Sequence, residues 1–311
     1  MTQTSYIDII RKIDSFTYEE DEFYYKLRAH DGSATLGYIT PTISKYFEDE
    51  QDILLDAEKK TLTISPYLDT IEKRNALFSL IATKWRKIPY FSESLDKGWR
   101  NELYTVYNPT HTPYVQIERA FSVLIGVITY GVHINGYIPP HKSSNGNLKM
   151  WVPRRSATKP TYPGMLDNTV AGGLGYPYGI WETVIKECYE EAGLGEDFVN
   201  SHVRSAGVVL YIFEPNGHKD TVQPEVEYIY DLEFDNETDV LPYPEDGEAE
   251  DFTLMDVSEV LDRLLNNEFK PNCGLVVTDF LVRHGYITPE SDENYLEIVS
   301  RCHRMMPFPT I

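Results

Sequence analysis

Cysteine is scarce in this chain: Cys188, Cys273 and Cys302 are the three in 311 residues. An odd, widely spaced set excludes a disulfide framework and a cysteine metal site, and suits a reducing compartment. Each is expected to be a small buried hydrophobe. Basic residues are also few. Lys and Arg number 28 against 49 Asp and Glu, a formal net charge of −21. That field argues against unaided binding of a nucleic acid polymer or an anionic membrane. Long apolar runs are missing, and the longest, residues 120–132, is too short and interrupted to span a bilayer. No secretory signal pattern opens the chain, so a soluble cytoplasmic protein is expected. There is no GxxxxGK[ST] loop, which leaves kinase chemistry of that type unsupported. The eight histidines follow no metal-ligand spacing.

What is present is an acidic helix framed by glycine. Residues 172–194 read GGLGYPYGIWETVIKECYEEAGL. The pattern predicts a helix over about 180–193, stopped at Gly193. At about 100° per residue, Glu187, Glu190 and Glu191 fall within an arc of roughly 100°. Trp181, Val184, Ile185, Cys188 and Ala192 form an apolar face beside them. Three carboxylates so arranged repel one another. A divalent cation would remove the repulsion, and hard oxygen donors suit Mg2+ or Mn2+, which also bind phosphate oxygens. An acidic run alone also fits a solvated helix face. The glycines before and after it favour a catalytic site.

This stretch resembles the Nudix box: a glycine, five residues, Glu, seven residues, then Arg-Glu-aliphatic-any-Glu-Glu-any-Gly-aliphatic. Gly172 takes the leading glycine, Lys186 replaces the Arg and Cys188 fills the aliphatic place. The early Glu falls at Tyr178 and is absent, and Glu182 comes four residues too late. The resemblance implies a hydrolase that cleaves a small-molecule diphosphate. Glu187, Glu190 and Glu191 would be its catalytic metal ligands, with a backbone carbonyl at or beside Gly172. The missing early Glu bears on loop geometry more than on metal binding.

Longer segments resemble one branch of that family, the thiamine-pyrophosphokinase-related Nudix proteins. They are GWRNELYTVY (98–107), WVPRRSATKPTYPGMLDNTVAGG (151–173), PEVEYIYDLEF (224–234) and DGEAEDFTLM (246–255). The branch carries an extra N-terminal domain, and some members are fused to a kinase domain that is not expected here. The resemblance implies hydrolysis of thiamine diphosphate and of damaged forms, oxo- and oxythiamine diphosphate, to a monophosphate and phosphate. Two alternatives stay open. One is a Nudix hydrolase of oxidised nucleotides such as 8-oxo-dGTP. The other is a catalytically degenerate domain that binds its ligand without cleaving it.

The expected fold is α+β. A smaller α+β domain spans 1–115. A Nudix domain over 116–265 has a mixed sheet with helices on both faces, and C-terminal helices over 266–311 pack on it. Within this frame a helix is expected over 4–28, strands over 34–39 and 61–64, and a helix over 66–84. Strands around a glycine turn are expected within 121–138, then a strand over 149–153. Strands over 208–213 and 227–234 flank a turn at Pro215-Asn216-Gly217. Helices follow over 257–266, 274–284 and 293–303.

Arg154 and Arg155 are candidates for the diphosphate, because guanidinium groups suit phosphate oxygens. They fit a solvent-facing basic turn almost as well. Trp99, Arg100 and Tyr104 could close over a ring, although interdomain packing is the preferred role for Trp99. Tyr162 and Met165 are candidate ring contacts that also fit a turn at Pro163-Gly164. Glu225, Glu227, Glu248 and Glu250 are candidate general bases.

Overall fold

The computed structural model describes residues 4–17, 22–215 and 221–311. The isoleucine rhythm at the start folds as one short helix, α1 (Tyr6–Ile13), with Ile7, Ile9, Ile10 and Ile13 buried. Asp8 accepts the Ser5 N–H at 3.1 Å and so caps it. The helix expected over 4–28 therefore ends early. Asp14, 2% exposed, pairs with Arg301 and Arg304 and accepts the Ile212 N–H, which draws the chain off the helix axis.

Short half-buried strands then build a sheet: β1 (Tyr25–Arg28), β2 (Thr35–Ile39), β3 (Ile53–Asp56) and β4 (Thr61–Ile64), in the order β2-β1-β4-β3. β1 and β4 are parallel, and the other pairs are antiparallel. The four-residue turn α2 (Pro41–Ser44) leads out of β2. α3 (Ile71–Trp85) starts later than expected, because Thr70 caps it through the Lys73 N–H. Its Leu77, Phe78, Ile81 and Trp85 share one core with the sheet. The hairpin of β5 (Leu103–Tyr107) and β6 (Pro113–Glu118), followed by α4 (Arg119–Ser122), adds Val106, Val115, Ile117 and Phe121 to it.

The second sheet is mixed and six-stranded. Its strands are β7 (Thr129–Ile138), β8 (Lys149–Arg155), β9 (Val170–Gly173), β10 (Val203–Phe213), β11 (Gln223–Glu233) and β12 (Ala249–Asp256). The order is β10-β11-β7-β8-β12, and β9 pairs with β7 beside that path. β11 runs parallel to β7. Strands were expected from 121 onward, but 119–122 are helical and one long strand follows. Gly126, at φ +58, turns the chain where a Cβ would lie 1.9 Å from the Tyr38 carbonyl oxygen. The expected turn after β10 reaches Pro215, and Asn216-Gly217 lie outside the described residues.

Helices cover both faces. On one, α5 (Ile180–Ala192) and α6 (Glu196–His202) bury Val184, Cys188 and Val199 against Val132, Ile134 and Leu232. On the other lie α7 (Val257–Leu265), α8 (Pro271–Arg283) and α9 (Tyr295–Cys302). α1 packs with this second group: Ile7 and Ile10 join Leu275, Val276, Ile229 and Ile298. The division expected at 115 does not describe this helix, which belongs to the larger body. Among the described residues no helix is long and apolar enough to cross a membrane.

Candidate active site

Two glycines frame α5. The Gly179 N–H donates to Glu182 at 2.9 Å, so Glu182 caps the helix instead of replacing the missing early Glu. Gly193 ends it at φ +64. Trp181, expected on the buried face, is 40% exposed, with its Nε1 on Asn200. Glu187 lies against β9, so close that a Cβ on Gly172 would stand 2.3 Å from its carboxyl carbon. Glu191 accepts the Ala171 N–H at 2.9 Å. Glu190 is exposed. Lys186 Nζ donates to Glu187 at 2.9 Å and to Glu190 at 2.7 Å. It also stands 6.0 Å from the centre of the Tyr178 ring. The two departures from the box pattern thus face each other.

Burial raises the Glu187 carboxyl, against Lys186, and Glu190 and Glu102 add to the rise. Burial also lifts Glu191 well above the carboxylate range; Glu187, Asp167 and Glu248 reinforce this, and the Ala171 N–H opposes it. Among the described residues no three acidic, His or Cys side chains stand close enough to hold a metal ion as they are. The arc expected on the helix is split: Lys186 holds two carboxylates and Ala171 the third. The donor chemistry nonetheless fits a hard cation. Two burial-stressed carboxylates line one cleft with the β9 glycines, and positive charge there relieves both.

That cleft measures about 520 Å³, and Arg100, Arg119, Arg155, Lys159, Lys186 and Lys270 line it. This is a local reversal of an acidic chain. Most of these cations are committed. Arg119 pairs with Glu102 at 3.0 Å, and Lys159 with Glu248. Arg155 bonds Asp167 at 2.6 Å and donates to the Thr161 and Tyr162 carbonyls. It is thus spent on shaping the 161–167 loop. Among the described residues, the side chains of Arg100 and Lys270 make no ion pair. Arg154 turns away from the cleft and donates to the Gly164 carbonyl, as alternation on β8 requires. Trp99 is not at the site: its Nε1 bonds Asn101, and Arg86 stacks on its indole at 4.7 Å. It packs on the N-terminal core.

Behind the β9 glycines lies an inner chamber of about 360 Å³, which shares Arg119, Thr161, Ala171, Gly172, Gly173 and Lys270 with the cleft. Tyr104, Tyr130, Tyr162 and Tyr211 line it, with Glu225 and Glu227. The Tyr211 hydroxyl donates to Glu225 and stands 3.0 Å from Glu227 Oε1. His133 approaches Glu227 at 3.5 Å and bonds Asn168 at 2.7 Å through its other nitrogen. Burial and the neighbouring Glu227 push Glu225 up to about 7. Burial opposes ionisation of Glu227, but His133 outweighs it and holds this carboxyl below its ordinary value. Of the other candidate bases, Glu248 lines the cleft, whereas Glu250 accepts the Ala157 N–H. All three cysteines are buried thiols. Cys273 does more than fill space, since its Sγ donates to Asp167 at 2.6 Å.

Sequence reasoning missed Glu102, Arg119, His133, Tyr211 and Lys270. No spacing joins them. The two-residue interval of Glu225 and Glu227 in a strand pattern was the one available signal for the chamber.

A glycine strand, a carboxylate helix and a cation-lined cleft on a mixed, helix-covered sheet define the Nudix class of hydrolases, which act on pyrophosphate-containing substrates. Residues 143–273 match the NUDIX domain, and residues 9–129 match a domain of unknown function, DUF4743. An uncharacterized Saccharomyces cerevisiae protein, YJR142W, is 40% identical over 329 aligned positions, covering 99% of this chain and 93% of its own. Nudix hydrolase 24, chloroplastic, of Arabidopsis thaliana is 35% identical over 86% of this chain and 69% of its own. The chain belongs to the Nudix hydrolase family. Among solved structures, the NUDIX domain of Shewanella oneidensis NrtR complexed with ADP ribose covers 50% of this chain and 86% of its own, at 10% identity and a TM-score of 0.37. That likeness is too loose to bear on function.

Proposed function

We propose that this chain is a metal-dependent diphosphatase acting on thiamine diphosphate and its oxo- and oxythiamine forms, releasing the monophosphate and phosphate. The observation that carries the reading is that two spaces share the β9 glycines as a common wall. A cation-lined cleft at the box helix adjoins a chamber lined by carboxylates and tyrosines. A diphosphate suits the first, and a nitrogen heterocycle suits the second. All four thiamine-branch segments supply walls. Arg100 and Tyr104 come from 98–107, Arg155 and Gly172 from 151–173, Glu225 and Glu227 from 224–234, and Glu248 from 246–255.

Glu187, Glu190 and Glu191, with the Gly172 carbonyl, would hold Mg2+ or Mn2+. When bound, the ion supplies charge neutralisation on the diphosphate and an acidified water. Arg100 and Lys270 orient the diphosphate and take up its remaining charge. Glu248 shares the cleft with the box carboxylates and is the candidate for taking the water proton. Steady-state hydrolysis of thiamine diphosphate, oxothiamine diphosphate and 8-oxo-dGTP with magnesium tests the reading. The thiamine-type substrates should lead in kcat/KM by about tenfold or more. Preference for the nucleotide would contradict it.

A further inference from the structure

β9 ends at Gly173 and α5 begins at Ile180, with residues 174–179 between them. Gly172, Gly173 and Gly175 leave no room for a side chain. A Cβ on Gly172 would stand 2.3 Å from the Glu187 carboxyl carbon, one on Gly173 2.1 Å from the Tyr104 hydroxyl oxygen, and one on Gly175 2.5 Å from Glu102 Oε1. The first neighbour belongs to the box helix. The other two belong to β5 and the residue just before it, in the hairpin that packs on the N-terminal core. Backbone joins the two segments as well. The Tyr176 N–H donates to the Leu103 carbonyl at 2.7 Å, within a single antiparallel bridge.

Glu102 is itself held in place. Arg119 Nη1 donates to its Oε2 at 3.0 Å, and the Arg119 N–H donates to its carbonyl at 2.8 Å. The Arg119 guanidinium lies 5.5 Å from the centre of the Tyr104 ring, and Tyr104 is buried. A clamped carboxylate and a buried phenol give the glycine segment a firm bed. The box itself offers less. Tyr178 stands where the pattern has Glu, and it is exposed. Glu182 is spent on the Gly179 N–H. Contacts at 173, 175 and 176 therefore fix the strand end that carries Gly172, and Gly172 sets the place of Glu187.

We propose that Glu102 is a positioning residue of the catalytic centre: it seats the box loop on β5 and, through Gly172, sets Glu187 for the metal. The inference rests on the metal role proposed for Glu187, Glu190 and Glu191, and not on the identity of the substrate. Side chains that orient direct metal ligands govern metal affinity by about 10–100-fold. Shape carries the effect here, because the Glu102 carboxylate fills the space over Gly175. The N-terminal domain, matched over residues 9–129, then takes part in the active site beyond packing.

Titration of the metal-free full-length protein with Mn2+, the free ion read by electron paramagnetic resonance, tests this without substrate. Glu102→Ala empties the space over Gly175 and should weaken Mn2+ binding by about tenfold or more. Glu102→Gln removes the same charge but keeps the shape and an oxygen for Arg119, so it should stay within about threefold of the wild type. Gly175→Ala forces the Glu102 side chain off the loop and should weaken Mn2+ as Glu102→Ala does. Circular dichroism checks each fold. Wild-type affinity in folded Glu102→Ala overturns the inference and leaves the diphosphatase reading standing. An equal loss in Glu102→Gln and Glu102→Ala also overturns it, since charge alone would then carry the effect. If Glu102→Ala does not fold, Gly175→Ala takes its place in both comparisons. A wild type that binds no Mn2+ overturns the metal role of the box carboxylates and this inference with it.

Discussion

Glu187 rests on the backbone of Gly172, with no room between them for a methyl group. The contact joins the glycine strand to the carboxylate helix and sets the position of a proposed metal ligand. Gly172→Ala should push Glu187 off β9. Misplacement by about 1 Å costs on the order of 100-fold in turnover. Steady-state kinetics should show a loss of that size in kcat, with near wild-type circular dichroism. Full activity in the variant would mean that Glu187 has no positional role.

Magnesium should stabilise the folded protein, and more so at pH 8 than at pH 6. Glu187 and Glu191 have folded-state pKa values raised above the unfolded value of about 4.3. Without metal the folded state keeps protons that the unfolded state releases. Stability therefore falls as pH rises from about 4.3 through the raised values. Magnesium requires the ionised carboxylates, so its effect grows over the same window. Metal at about 100 times its dissociation constant contributes about 2.7 kcal/mol. Thermal melts with magnesium and with chelator at the two pH values should show a larger difference at pH 8.

The cleft cations should separate by kinetics. Arg100 and Lys270 line the cleft with no ion pair among the described residues, and Arg154 faces away. Arg100→Ala and Lys270→Ala should each raise KM by about ten- to hundredfold, the worth of about 1.5–3 kcal/mol from a charge-assisted bond. Arg154→Ala should leave KM within about twofold. Equal effects at all three positions would favour a general field over specific contacts.

The first helix should matter to the larger body. Ile10 is fully buried between α1, α8 and β10. Ile10→Ala should cost about 2–5 kcal/mol in chemical denaturation. For the same reason a chain starting at Pro113 should not fold independently, because it would expose the surface that α1 covers.

The box helix was legible because its signals are local. The carboxylate spacing, the apolar stripe and Gly193 all lie within one run of residues. The site around it was not, because it is assembled from distant segments. Lys270 enters from the start of α8, Arg119 from α4, Tyr211 from β10 and His133 from β7. Nothing in the spacing of these residues brings them together. Arg155 was a candidate for the diphosphate almost equally with a basic turn; it lines the cleft, and its bond to Asp167, 12 residues away, could not be read from spacing. Trp99 could be read as a ring contact or, by preference, as a packing residue, and it packs on the N-terminal core. The end of α1 was hidden because Asp14 finds its partners, Arg301 and Arg304, almost a full chain length away.

The most direct measurement is phosphate release from thiamine diphosphate by the wild type and by Glu190→Gln, each with magnesium and with chelator. Glu190 is exposed and touches Lys186, so its change leaves the helix's buried face intact. The account predicts magnesium-dependent release by the wild type. It also predicts a loss of at least about 100-fold in the variant, the scale expected when positioned charge stabilisation is removed. Release by the variant at the wild-type rate, or release that continues in chelator, would contradict it.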